Sequence, residues 1–200
     1  MNRLTPVVLF FMILLSHEVQ ACCRNGVPKL DSIEVINNNK DKVLNYYAVG
    51  ISKLDSGDYL GAIACFSKAL ELDSSSATNY LHRAYCKNQL MDYQGALKDY
   101  DRALKYSKTW EESFDAYYNR GLTRALLENL RGAMADFNSA INIDPESANA
   151  YFNRSIVKGK IGDFFGELKD INSAILLNPG DPYAYNSRGI VKSIIGDYYP

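Results

Sequence analysis

Residues 117–140 read YYNRGLTRALLENLRGAMADFNSA, and this stretch decides the fold. Tyr117, Gly121 and Arg124 fall at i, i+4 and i+7, one side of a helix. Ala133, Phe137 and Ala140 repeat those steps on a second helical face. The pattern then recurs outward in both directions. Tyr46, Tyr80, Tyr117, Tyr151 and Tyr185 are separated by 34, 37, 34 and 34 residues. Phe66, Tyr100, Phe137 and Ile171 follow the first four of them by 20 residues, and Ala69, Ala103, Ala140 and Ala174 come three residues later. A fixed period of this size marks a stacked array in which no unit buries its apolar face alone. Such a chain is built to hold something rather than to transform it.

Turn chemistry supports the division into helix pairs. Gly57-Asp58, Gly162-Asp163 and Gly196-Asp197 predict tight turns between paired helices. Glycine tolerates the left-handed conformation that ends a helix, and aspartate caps the next one. Asp144-Pro145 and Asn178-Pro179 end second helices, because proline cannot continue the hydrogen-bond ladder.

Composition excludes some classes of function. The formal charge of the 200 residues is −1 with cations scattered through the array, so no basic footprint for nucleic acid is present. Four cysteines are too few for a disulfide-built fold of this length. Cys65 and Cys86 fall on neighbouring helices, where they either pair or act as small apolar residues. The only histidine beyond the N-terminal segment is His82, so no metal site is expected.

The N-terminus reads as an address. Met1-Asn2-Arg3 gives a positive start, and Leu4 to Leu15 form an apolar run too short to span a bilayer comfortably. Val19-Gln20-Ala21 suits cleavage before Cys22, so residues 1–21 are expected to be a signal peptide and the product periplasmic or secreted. An anchor that is never removed is the alternative. Val19-Gln20-Ala21-Cys22 also resembles the lipobox of bacterial lipoproteins, although Glu18 and Gln20 depart from it. That resemblance implies a lipid on Cys22 as a membrane anchor. Residues 22–42 are polar and read as a flexible tether.

The array resembles a tetratricopeptide repeat protein. Repeats fall at 43–76, 77–110, 114–147 and 148–181, with a half repeat at 182–200, and Glu111-Glu112-Ser113 is an insertion. The family's small residues map onto Gly50, Ala84, Gly121 and Gly189 in first helices and onto Ala62, Ala96 and Ala133 in second helices. The resemblance implies an all-α fold, a right-handed superhelical solenoid of helix-turn-helix units. Repeat four departs from the pattern with Ser155 and Glu167, which face each other in the family's geometry. The Ser155 hydroxyl is expected to bond the carboxylate, or else the acid must bend outward. The half repeat presents Gly189 and an apolar surface including Ile190 and Ile194, which implies self-association or fraying there.

The resemblance also places the first helices on the inner face. Its inward side chains are Tyr47 and Ile51, Leu81 and Tyr85, Tyr118 and Leu122, and Phe152 and Ile156. Such a groove takes an extended or helical peptide, unless some of these positions only complete helix packing. Asn119 and Asn153 stand beside the stripe, with His82 and Ser187 at the equivalent places. Some family members use an asparagine ladder there to bind a peptide backbone. Arg83, Arg120, Arg154 and Arg188 are expected to be structural, pairing with acids such as Asp99 or Asp136.

No catalytic constellation, cofactor motif or metal-ligand spacing is present in the sequence. The expected function is that of an exported, non-catalytic scaffold binding a protein or peptide in the groove. The alternative is an envelope-tethered assembly component, anchored at Cys22, that associates through the half repeat.

Overall fold

The computed structural model describes residues 38–198, and side chains as far as 196. The expected signal peptide 1–21, Cys22 and most of the tether lie outside the described residues. Nine helices and no strands occur among the described residues. They are α1 (Asn39–Asp55), α2 (Tyr59–Leu72), α3 (Ala77–Gln89), α4 (Tyr93–Tyr106) and α5 (Trp110–Leu126). The remainder are α6 (Leu130–Ile143), α7 (Ala148–Lys160), α8 (Phe164–Leu177) and α9 (Pro182–Tyr198).

Each of the first eight helices begins where a short polar side chain can cap it. Asn38, Asp58, Ser76, Asp92, Thr109, Asn129, Ser147 and Asp163 each accept the backbone N–H three residues on. Each cap satisfies one amide that the helix leaves unpaired. The Asn38 cap starts α1 at Asn39, so Asn39–Lys42 form its first turn instead of the end of a tether. The insertion before repeat three lengthens its first helix: Thr109 caps α5, which has 17 residues against 13 in α3 and α7.

Helices pack in sequence order, pair against pair, with additional contacts between successive first helices α3, α5 and α7. The array is an all-α solenoid. Phe66, Tyr100, Phe137 and Ile171 fill the angle within each pair and are no more than 1% exposed. They fit because the facing residue is small. A Cβ on Gly50 would lie 2.7 Å from a Phe66 ring carbon, and one on Gly121 3.0 Å from Phe137.

The turns within pairs show where sequence reading fell short. Gly57 and Gly162 have φ of +79° and +82°, as expected of left-handed turn glycines. Repeats two and three make the same turn with Met91 and Glu128, at φ 63° and 57°. Gly196, in contrast, lies inside α9 and makes no turn. Among the described residues nothing packs across it to demand one, so the helix continues to Tyr198.

Glu167 is accommodated differently from either expectation. Ser155 Oγ donates to its own helix, to Phe152 O at 2.7 Å, and does not bond the carboxylate. Glu167 lies instead over Gly159, where an added Cβ would be 2.5 Å from Oε2. Burial and then nearby Asp163 push its carboxyl up to about 7. Cys65 and Cys86 are both free thiols; Cys86 is buried, which raises its thiol to about 12.

Candidate functional site

The first helices meet along one face, and the polar side chains there bond to one another across repeat boundaries. Tyr47 Oη and His82 Nε2 are 3.2 Å apart, joining α1 to α3. Thr78 Oγ1 donates to Glu112 at 2.9 Å, and Asn88 Nδ2 to Thr123 Oγ1 at 2.8 Å, joining α3 to α5. Asn153 Nδ2 donates to Tyr118 Oη at 2.8 Å, joining α7 to α5. Each link spans 34 or 35 residues, about one repeat, and the steps α1–α3, α3–α5 and α5–α7 each carry at least one.

This seam corrects part of the expected binding stripe. Ile51, Tyr118, Leu122, Phe152 and Asn153 are all buried, at 8%, 5%, 1%, 3% and 0% exposure. Tyr118 and Leu122 pack with Phe137 in the core of repeat three, and Phe152 packs with Ile171 in repeat four. Packing within each pair, together with the approach of successive first helices, consumes the area that the family geometry would offer to a ligand. Tyr47, Leu81, Tyr85, Asn119 and Ile156 remain half-buried. Asn119 is turned to its own helix, donating to Asp115 O at 2.8 Å. Asn153 therefore belongs to the packing rather than to a ladder open to a peptide.

Two titratable groups on this face are displaced from their ordinary values. His82 stacks on Phe66 with ring centroids 5.5 Å apart, and burial lowers it to about 4, so it is neutral at pH 7. Burial, reinforced by Glu111 and Glu112, raises the Asp115 carboxyl to about 6. Asp115, Glu111 and Glu112 give the α5 end of the face an acidic character. No group of residues able to hold a metal ion occurs among the described residues.

On the other side of the first helices, Arg83, Arg120 and Arg154 each grip an aspartate of their own repeat. Arg83 reaches Asp99 through Nε and Nη2 at 2.8 and 2.7 Å, and Arg120 reaches Asp136 at 3.0 and 2.7 Å. Arg154 reaches Asp170 at 2.7 and 2.8 Å. The third arm of each guanidinium crosses to the preceding repeat, at Ser67, Asp101 and Asn138. A second cation four residues on completes each cluster: Lys87 at 2.7 Å, Arg124 at 2.8 Å and Lys158 at 2.8 Å. In the sequence this signal is the cation recurring at 87, 124, 158 and 192. The aspartates are at most 5% exposed, so losing one partner would strand a buried charge.

Comparison with known proteins agrees with this geometry. Tetratricopeptide repeat family profiles match residues 45–76 and 89–150. The chain carries tetratricopeptide repeats. It is 31% identical over 80 residues to a tetratricopeptide repeat protein 36 homolog of Nematostella vectensis, covering 38% of this chain and 44% of that one. It is 25% identical over 138 residues to a TPR repeat-containing protein of Methanocaldococcus jannaschii, covering 66% of this chain and 21% of that one. The chain thus spans less than half the length of these relatives.

Among solved structures, a MamA protein superposes with a TM-score of 0.72 at 22% identity, covering 78% of this chain and 84% of that one. YrrB, a TPR protein with an unusual peptide-binding site, superposes at 0.68 and 22% identity, covering 80% and 81%. At these identities the likeness establishes the fold. Tetratricopeptide repeat arrays are protein-interaction scaffolds and generally non-catalytic.

Proposed function

We propose that this chain is an exported, non-catalytic scaffold that takes a peptide or protein segment along the face of its first helices. The observation that carries this reading is the recurrence of half-buried Leu81, Tyr85, Asn119 and Ile156 above a floor made rigid by the inter-repeat links. Aromatic and aliphatic groups supply apolar contact, and an amide supplies directional bonding to a backbone. A rigid floor lowers the conformational cost of binding. Export is supported by the apolar run Leu4–Leu15 and the small residue ahead of Cys22; a lipid on Cys22 would tether the array to a membrane.

The test is affinity capture from native envelope extract by residues 22–200, with Tyr85→Ala/Asn119→Ala in parallel. Both proteins must first show the same thermal midpoint. A partner retained by the parent and lost by the variant is the expected result. Equal retention would remove the first-helix face as the site. The intact mass of the exported product checks the address: it should begin at Cys22, with added acyl mass if lipidated.

A second reading has its own observation. An added Cβ on Gly189 meets nothing within 4 Å, whereas Gly50 and Gly121 are tightly covered by aromatic rings. This favours a further helix packing on α9, and an assembly role where a partner supplies that helix.

A further inference from the structure

Resting on the reading of the first-helix face as a peptide site, we infer that its occupant is a basic segment, presenting one arginine or lysine to Asp115 and another to Glu167. Both acids stand on that face. Phe152, Ile156 and Gly159 fall at i, i+4 and i+7 along α7, the side that carries the half-buried stripe. Gly159 has no side chain, and Glu167 reaches across from α8 into the space: a Cβ at 159 would lie 2.5 Å from its Oε2. Asp115, Asn119 and Leu122 fall at the same steps along α5.

Both acids are half-buried, and neither carboxylate forms a hydrogen bond or ion pair among the described residues. Burial raises both, and the charges acting on them are other acids, Glu111 and Glu112 beside Asp115 and Asp163 beside Glu167. The central first helices have no cation left to meet them. Both cations of α3 and both of α5 turn to the buried aspartates on the opposite side, as do two of the three on α7. The third, Lys160, is held by Glu128 at 2.6 Å. Beneath the stripe, Asn88 Oδ1 and Asn153 Oδ1 are buried without a donor, so these unmet polar atoms are acceptors as well.

Charge complementarity selects the occupant. An acidic segment would add like charge, and an uncharged one would cover the two carboxylates without compensation. A guanidinium is weakly hydrated and can donate to both oxygens of a carboxylate, which makes arginine the better fit. The spacing follows from the helices. Tyr118 meets Asn153 across α5 and α7, so the two run side by side with Gly159 level with Ala125, ten residues past Asp115. Ten residues of helix rise about 15 Å, and the neighbouring axis lies about 8–10 Å to the side. The two acids thus stand roughly 17 Å apart, which an extended segment crosses in about five residues.

The probe is a displayed library of random dodecapeptides selected on the full chain, with Asp115→Asn/Glu167→Gln and Tyr85→Ala/Asn119→Ala in parallel. The enriched peptides are then made and titrated by fluorescence anisotropy. They are expected to carry two arginines or lysines about five residues apart, and to bind Asp115→Asn/Glu167→Gln at least tenfold more weakly. Replacing each arginine by citrulline, or each lysine by acetyl-lysine, should weaken binding to the unaltered protein at least tenfold, a readout that needs no protein variant. Enriched peptides without basic residues that Tyr85→Ala/Asn119→Ala fails to bind would overturn the basic occupant and leave the first-helix face standing as the site. Basic peptides that bind Asp115→Asn/Glu167→Gln undiminished would overturn the assignment to these two acids. Peptides indifferent to both pairs of substitutions, or no enrichment at all, would overturn the first-helix site and this inference with it.

Discussion

Asn153 Nδ2 donates to Tyr118 Oη at 2.8 Å, one repeat away and fully buried. Two side chains expected to face a ligand instead bind each other. Removing the hydroxyl with Tyr118→Phe leaves the amide without that partner and should cost about 1–3 kcal/mol. Tyr118→Ala also opens a cavity and should cost about 3–5 kcal/mol. Urea unfolding measures both. A cost near zero for Tyr118→Phe would show that water replaces the bond.

The buried aspartates should be more sensitive than surface acids. Asp136→Ala strands Arg120 and Arg124 and should destabilise by about 3–5 kcal/mol. Asp58→Ala, at the exposed Lys53 pair, removes a helix cap and should cost clearly less than Asp136→Ala in the same urea unfolding. Repeat one has Val49 and Cys65 where its neighbours have arginine and aspartate, so this pair of stabilising groups begins only at repeat two. Hydrogen exchange should accordingly find α1 and α2 opening before α5 and α6.

Glu167 gives stability a dependence on pH. Its folded carboxyl is raised to about 7, above the ordinary value of 4.5, so the folded state holds the extra proton between those values. Its contribution should fall as pH rises from about 4.5 to 7, by roughly 1–3 kcal/mol. Asp115, raised to about 6, acts in the same direction up to that pH. His82 acts oppositely: lowered to about 4, it makes the protein less stable as pH falls below about 6.5. Glu167→Gln should flatten the loss between pH 6 and 7, measured by chemical denaturation at several pH values. An unchanged slope would mean that the carboxylate is solvated.

Met91 adopts φ 63° at a turn where repeats one and four use glycine. Met91→Gly should stabilise by about 1 kcal/mol, because a left-handed conformation costs a residue with a Cβ that much. Thermal unfolding checks it, and a lowered midpoint would show that the Met91 side chain contributes more than its backbone costs.

The repeat architecture was legible because Tyr46, Phe66 and Ala69 and their equivalents occupy positions that packing cannot relax. The turns of repeats two and three were less visible, since Met91 and Glu128 carry no local signal for a left-handed turn. The first-helix face was legible only in register. Sequence spacing places Tyr118, Leu122 and Phe152 on the correct side of their helices, but exposure depends on how closely successive first helices approach. That distance is set by pairs such as Asn88 and Thr123, 35 residues apart. Glu167 was misread because its room comes from Gly159, on the facing helix, and not from Ser155.

The most direct test of the scaffold reading is a photo-crosslinking scan of the full-length protein in its native cells. A benzophenone side chain would be placed at Tyr85 or Asn119 on the first-helix face, and at Gln94 or Arg131 on exposed positions of the second helices. A discrete adduct with one partner from positions 85 and 119, and none from 94 and 131, is the predicted result. Adducts from 94 and 131 with none from 85 and 119 would contradict it.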